Sequence, residues 1–158
     1  MPETYREYYK QQLEEGREFQ DHVCETVFKT LGLPIMQYSS TRYQYSKGES
    51  VNGVEIKLDK RLNDTQNIYI EEYEKAHPEN SGYVPSGIKI AGNWLYIIGD
   101  YNIIYVMPVS ILILSSRSDK FKRVQTPTSR GFLMPVSTAE KWAVKTIRTP
   151  GEKNVNIH

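Results

Sequence analysis

Apolar residues recur at helical spacing early in the chain and at alternate positions further on. Phe19, Val23, Cys24, Val27, Phe28 and Leu31 fall mostly three or four apart. That spacing predicts a helix over residues 4–31 with this stripe buried. Gly32 and Pro34 end it. Gln20 lies one turn before Cys24, so the same periodicity points an amide toward the buried face, where it needs a partner. Residues 36–47, MQYSSTRYQYSK, read as a strand, VNG at 51–53 as a hairpin turn, and Val54 to Asp59 as a second strand. Asn67 to Glu74, NIYIEEYE, alternates as a third strand, with Ile68 and Ile70 on one face and Tyr69, Glu71 and Tyr73 on the other.

Residues 76–92 carry Pro, Gly, Asn and Ser and read as loop. Trp94 to Ile98 and Ile103 to Met107 predict two short strands around GDYN, and Pro108 opens a short helix through Ile111 and Leu114. Residues 115–130 read as a basic, polar loop, in which Arg117, Lys120, Lys122, Arg123 and Arg130 face a single acid, Asp119. Gly131 to Val136 predicts another strand. Ser137 with Glu140 three residues on matches a capping box, so STAEKWAVKTIR reads as a final helix. The expectation is one α+β domain over 1–148 with a mixed or mainly antiparallel sheet, and a frayed tail over 149–158.

Composition narrows the function classes. With 158 residues, 39% hydrophobic and 25% charged, the chain reads as globular rather than disordered. The net charge of +1 means that any nucleic-acid surface must be a local patch of the 20 Lys and Arg. The 12 tyrosines suit half-buried strands as readily as base stacking. Cys24 is the only cysteine, which excludes an intramolecular disulfide, and its place in an apolar stripe argues against a catalytic thiol. His22, His77 and His158 match no zinc spacing. MPETYREYYKQQ is too polar for a signal peptide, and Pro108 interrupts IIYVMPVSILIL, which is too short to span a bilayer. These features point to a cytoplasmic protein with no membrane partner.

The stretch GESVNGVEIKLDK, residues 48–60, carries the candidate chemistry. Alternation in a strand puts Glu55, Lys57 and Asp59 on one face, with Cα atoms of Glu55 and Lys57 roughly 6.6 Å apart. A carboxylate and an ammonium at that separation can both reach one phosphate, the first through a divalent metal and the second through charge or an oriented water. A hard octahedral cation wants oxygen from more than one group, and Glu49 is the nearest second acid. A two-residue Asn52-Gly53 turn sends Glu49 to the far face. A three-residue Val51-Asn52-Gly53 loop with Gly53 left-handed sets it beside Glu55, and this is the register expected here. The bland alternative is a half-solvated strand whose outer face happens to be charged.

This arrangement resembles the PD-(D/E)xK nuclease superfamily, the restriction-endonuclease-like fold. The match lies in a helix, a three-stranded meander, and an acid followed by the tripeptide Glu55-Ile56-Lys57. Glu49 stands where that family has Asp, and Gly48 where it has Pro. GREFQDHVCETVFKTLGL is similar to the opening helix of Holliday-junction resolvases, with Gln20 where they usually carry Glu. GVEIKLD, NIYIEEYEK and WLYIIGDY look like small phage- or prophage-encoded members. The resemblance implies a Mg²⁺-dependent deoxyribonuclease, with Mn²⁺ as a substitute. In it Glu49 and Glu55 hold the metal, Lys57 assists the attacking water, and Gln20 and Glu71 complete the shell. Lys75 and the basic run Arg117, Lys120, Lys122, Arg123 and Arg130 would contact the DNA backbone, with Tyr43 and Tyr45 bordering the site. A homodimer is compatible with cutting both strands. Two alternatives are a degenerate nuclease-fold binding module, which Gln20 would suit, and a phage interaction protein that docks through its tyrosine-rich sheet.

Overall fold

The computed structural model describes residues 5–32, 53–80 and 82–149. The first helix, α1 (Tyr5–Leu31), matches the sequence expectation and ends as expected. Gly32 is left-handed (φ 66°), and its N–H donates to the Phe28 carbonyl, a C-terminal cap that a residue with Cβ adopts at a cost. The buried stripe is narrower than the spacing suggests. Phe19, Val23 and Val27 are buried, whereas Phe28 and Leu31 are 58% and 42% exposed.

Among the described residues, eight strands follow, in two sheets of four. The first sheet runs β1–β4–β5–β8, made of β1 (Val54–Leu58), β4 (Leu95–Gly99), β5 (Ile103–Pro108) and β8 (Lys145–Arg148). It is mixed, because β1 lies parallel to β4 while the other pairs are antiparallel. The second runs β3–β2–β7–β6, made of β3 (Val84–Pro85), β2 (Asn67–Glu74), β7 (Ser129–Pro135) and β6 (Lys122–Gln125), and is antiparallel throughout. The α+β class with a mixed sheet therefore stands.

Alternation along the strands builds two cores. Val54, Ile56, Leu95, Ile97, Ile104, Val106 and Ile147 turn one face of the first sheet toward Phe19, Val23 and Val27 of α1. Tyr96, Ile98, Tyr105 and Met107 turn the opposite face toward Ile68, Ile70, Phe132 and Met134 of the second sheet. β4 is buried at every residue because it is covered on both sides, which explains its unbroken apolar run.

Several expectations need correction. Residues 54–58 and 67–74 do not form a meander, because they belong to different sheets. The connection explains the switch. A short helix, α2 (Leu62–Thr65), ends on a left-handed Gln66, and the Asp59 carboxylate accepts N–H bonds from Arg61 (3.0 Å) and Tyr69 (2.9 Å). These bonds turn the chain out of the first sheet and start the second. Residues 76–92 are not wholly loop, since they hold β3 and a 3₁₀ turn at Gly87–Lys89. Pro108 caps α3 (Val109–Ser116) as expected, but residues 122–135 form the β6–β7 hairpin rather than a loop and a short strand. The last helix, α4, covers only Val136–Trp142, starts after Pro135 and has no side-chain cap, so the Ser137–Glu140 box is not used. Ala143 is extended, and Lys145–Arg148 pairs with the open edge of β5. The predicted strand at 36–47, most of the hairpin turn and the tail from 150 lie outside the described residues, although Gly53 itself is left-handed (φ 73°). No helix among the described residues is long and apolar enough to cross a membrane.

Cys24 is half-buried on α1. Burial foremost, then the Asp21 carboxylate, pushes its thiol up to about 11. Only the thiolate is nucleophilic, so alkylation by iodoacetamide at pH 8 is expected to run roughly 100-fold slower than for a cysteine of ordinary pKa. A rate-against-pH curve already levelling off near pH 9 would contradict this.

Candidate active site

The outer strand of the described first sheet places the key residues. Val54 and Ile56 face α1, so Glu55 and Lys57 face the second sheet. Parallel pairing sets Glu55 beside Tyr96 and Lys57 beside Ile98. Glu55 is 2% exposed, an expensive position for a carboxylate without compensation. Lys57 provides it, with Nζ 3.1 Å from Glu55 Oε1 and 3.6 Å from Glu71 Oε1 on β2. One ammonium thus bridges carboxylates from two sheets.

Each carboxylate is also fixed by neutral donors. The Asn93 amide donates to Glu55 Oε2 (3.4 Å) and to the Gly87 carbonyl (3.2 Å). Glu71 accepts from the hydroxyls of Ser86 (2.5 Å) and Ser129 (2.9 Å), and the Tyr69 hydroxyl lies 2.6 Å from Ser129 Oγ. Gly87 is left-handed (φ 51°) and packs directly on the Glu71 backbone, which brings Ser86 and Asn93 into place. Tyr96 is fully buried beside this group. Burial, opposed by Lys57 and reinforced by Glu55 and Glu71, holds its phenol well above the ordinary value, so it stays protonated.

These groups line or back a cleft of about 950 Å³. One wall is a stripe of α1 in which Gln12, Leu13, Gly16, Arg17 and Gln20 recur at helical spacing. Gly16 leaves the middle of that wall open. Lys57, Tyr69, Glu71 and Tyr96 contribute from the strands, and Thr126 and Thr128 from the β6–β7 turn. Gln20 therefore faces the cleft and not the core, which corrects the expectation that it lies within the buried stripe.

Of the predicted site residues, Gln20, Lys57 and Glu71 share this cleft, and Glu55 lies immediately behind Lys57. Glu49, Tyr43 and Tyr45 lie outside the described residues. The basic set is dispersed. Lys75 and Arg130 gather around Tyr83. Arg117 caps the end of α3, Lys120 borders a hollow with Phe121 and Trp142, and Lys122 is exposed on β6. Arg123 is not a free phosphate contact. It is bound to the buried Glu72 and to the Ser116 carbonyl, closing the gap between α3 and the second sheet. Ser86, Asn93, Tyr96 and Ser129 went unremarked in the sequence. Tyr96 carried a signal, because a tyrosine in an otherwise aliphatic strand needs a partner for its hydroxyl.

The donors suit a hard divalent cation in kind, since two carboxylates converge on one cationic position. In number they fall short. Among the described residues no group of three acidic, histidine or cysteine side chains gathers as a metal site. No protein-family model matches this chain, and no curated protein or solved structure matches it.

Proposed function

We propose that the chain is a metal-dependent nuclease hydrolysing phosphodiester bonds in DNA. The convergence of Glu55, Lys57 and Glu71 at the back of a cleft shared with Gln20 carries this reading. A carboxylate–lysine pair on one strand, met by a second carboxylate, unites cation affinity with a positive charge for a phosphate oxygen. Mg²⁺, or Mn²⁺ in its place, would supply Lewis acidity and an acidic bound water. Glu55 and Glu71 would give it carboxylate oxygens, Gln20 a carbonyl oxygen, and Glu49 a further carboxylate. Lys57 neutralises charge that develops on the phosphate. Ser86, Ser129 and Asn93 orient the two carboxylates, and Tyr96 keeps a neutral hydroxyl beside them.

Incubation with supercoiled, linear and branched DNA tests the reading. Metal-dependent cleavage is expected from the wild type and at least about 100-fold less from Lys57→Ala. Intact DNA on all substrates, with both metals, removes the proposal.

A second reading is a non-catalytic nuclease-fold binder. It is favoured by Lys57, whose ammonium already pairs with both carboxylates, and by the amide at Gln20. Calorimetry with Mn²⁺ separates the two. Heat of binding that disappears in Glu55→Ala supports the nuclease, and no heat from either protein supports the binder.

A further inference from the structure

The three charged groups at the back of the cleft differ in how firmly they are held. The Glu55 and Glu71 side chains are 3% and 18% exposed, whereas that of Lys57 is 29% exposed. Neutral donors anchor both carboxylates without help from the lysine. Asn93 donates to Glu55, and Ser86 and Ser129 donate to Glu71. The anchors are themselves fixed. The Asn93 amide also donates to the Gly87 carbonyl, and the buried Ser86 donates its N–H to the Glu72 carbonyl at 2.9 Å. The carboxylates therefore keep their positions whether or not an ammonium stands between them. Lys57 carries its charge on a flexible, unbranched stem that lines the cleft, so its ammonium is the member of the group that can turn outward.

Two converging carboxylates repel each other unless a cation lies between them. The Lys57 ammonium, a compact point charge 3.1 Å from Glu55 Oε1 and 3.6 Å from Glu71 Oε1, takes that place. A divalent ion bonded to the same two oxygens would need the same space, and two cations cannot share it. We infer that Lys57 is a resident cation, which holds the divalent position between Glu55 and Glu71 until a metal displaces its ammonium into the cleft. The inference deepens the nuclease reading and rests on its assignment of both carboxylates as ligands. Displacement breaks two ion-pair contacts, so Lys57 sets a threshold for metal affinity. It also ties that affinity to the charge of the cleft, because the ammonium reaches the space open to a phosphate only when a metal has taken its place.

The test is calorimetry with Mn²⁺ on the full chain. Lys57→Met removes the resident charge and is expected to bind Mn²⁺ roughly 10-fold more tightly than wild type. Lys57→Arg keeps the charge and offers a fork that grips carboxylates more firmly, so it should bind Mn²⁺ more weakly than wild type. Arg61→Gln removes a charge that lines the same cleft but forms no ion pair with either carboxylate. It should stay within about twofold of wild type, because solvent screens an exposed charge at a distance. Stability gives a second readout. In EDTA, Lys57→Met should melt below wild type, since Glu55 is left buried without its cation. Saturating Mn²⁺ should then raise its Tm by more than it raises that of wild type. Circular dichroism verifies that each variant is folded. Mn²⁺ binding by Lys57→Met no tighter than by wild type, an equal gain in Arg61→Gln, or Lys57→Arg binding as tightly as Lys57→Met each overturns the inference. Because binding is read without DNA, the two proposals fail separately. Tighter Mn²⁺ binding by Lys57→Met with no cleavage by wild type removes the nuclease and leaves the resident cation. Cleavage by wild type with unchanged Mn²⁺ binding in Lys57→Met does the reverse.

Discussion

Glu55→Gln is expected to melt no lower than wild type and, under the proposed nuclease activity, to lose metal-dependent cleavage by about 100-fold or more. The two halves of that result come from opposite terms. Glu55 is 2% exposed, and removing a carboxylate from water costs several kcal/mol even after relaxation. Lys57 at 3.1 Å returns part of that cost, but its side chain is 29% exposed, so solvent screens the attraction. Glutamine keeps nearly the same volume and a carbonyl oxygen for the Asn93 amide. It also leaves Lys57 paired with Glu71 at 3.6 Å. The desolvation cost disappears while the packing remains, so stability should hold or rise by about 1 kcal/mol, equivalent to a few degrees in Tm. Activity falls because an amide cannot supply the negative charge that holds a divalent cation. This stability–activity opposition is the mark of a group kept for chemistry. Thermal melts and plasmid cleavage on the same preparation check both halves. A fall in Tm of ten degrees would assign Glu55 to the scaffold.

The parts of this fold that the sequence made legible are those whose side chains obey one period. NIYIEEYE alternates cleanly, and β2 has the expected bounds. The tripeptide Glu55-Ile56-Lys57 was readable for the same reason, since alternation alone places the two charges on one face and Ile56 under α1. Legibility failed where a distant partner decides. VKTI at 144–147 continues a helical pattern from α4, yet the open edge of β5 takes Lys145–Arg148 as a strand, and β-branched Thr146 and Ile147 suit that edge. The β6–β7 hairpin was hidden by charge. Arg123 lies opposite Phe132 at the sheet edge and reads as a purely solvated residue, because its partner Glu72 is far away in sequence. The sheet switch after β1 depends on one carboxylate, Asp59, which reads as part of a charged strand face but is spent on backbone N–H groups. The candidate site was half legible. Its charged residues announce themselves by type, whereas Ser86, Asn93 and Ser129 act only through positions that the fold brings together.

Gly87→Ala is expected to cost about 3 kcal/mol and to lower Tm by roughly 6–12 °C. Two effects add. The backbone at residue 87 is left-handed (φ 51°), which costs a residue with Cβ about 1 kcal/mol or more. The new Cβ would also collide with the Glu71 carbonyl oxygen, a backbone atom that cannot swing aside because Glu71 is paired with Gly131 of β7. Relief requires the 3₁₀ turn to lift from β2. That movement takes Ser86 away from Glu71 and moves the Gly87 carbonyl that, with Glu55, accepts from Asn93. Both carboxylate supports would loosen at once, so cleavage should fall further than the loss of folded protein explains. Gly92→Ala separates strain from collision, because Gly92 is also left-handed (φ 89°) but a Cβ there meets nothing within 4 Å. It should cost about 1 kcal/mol and leave activity intact. Equal destabilisation by the two substitutions would mean that the contact of Gly87 with Glu71 does not hold this part of the cleft together.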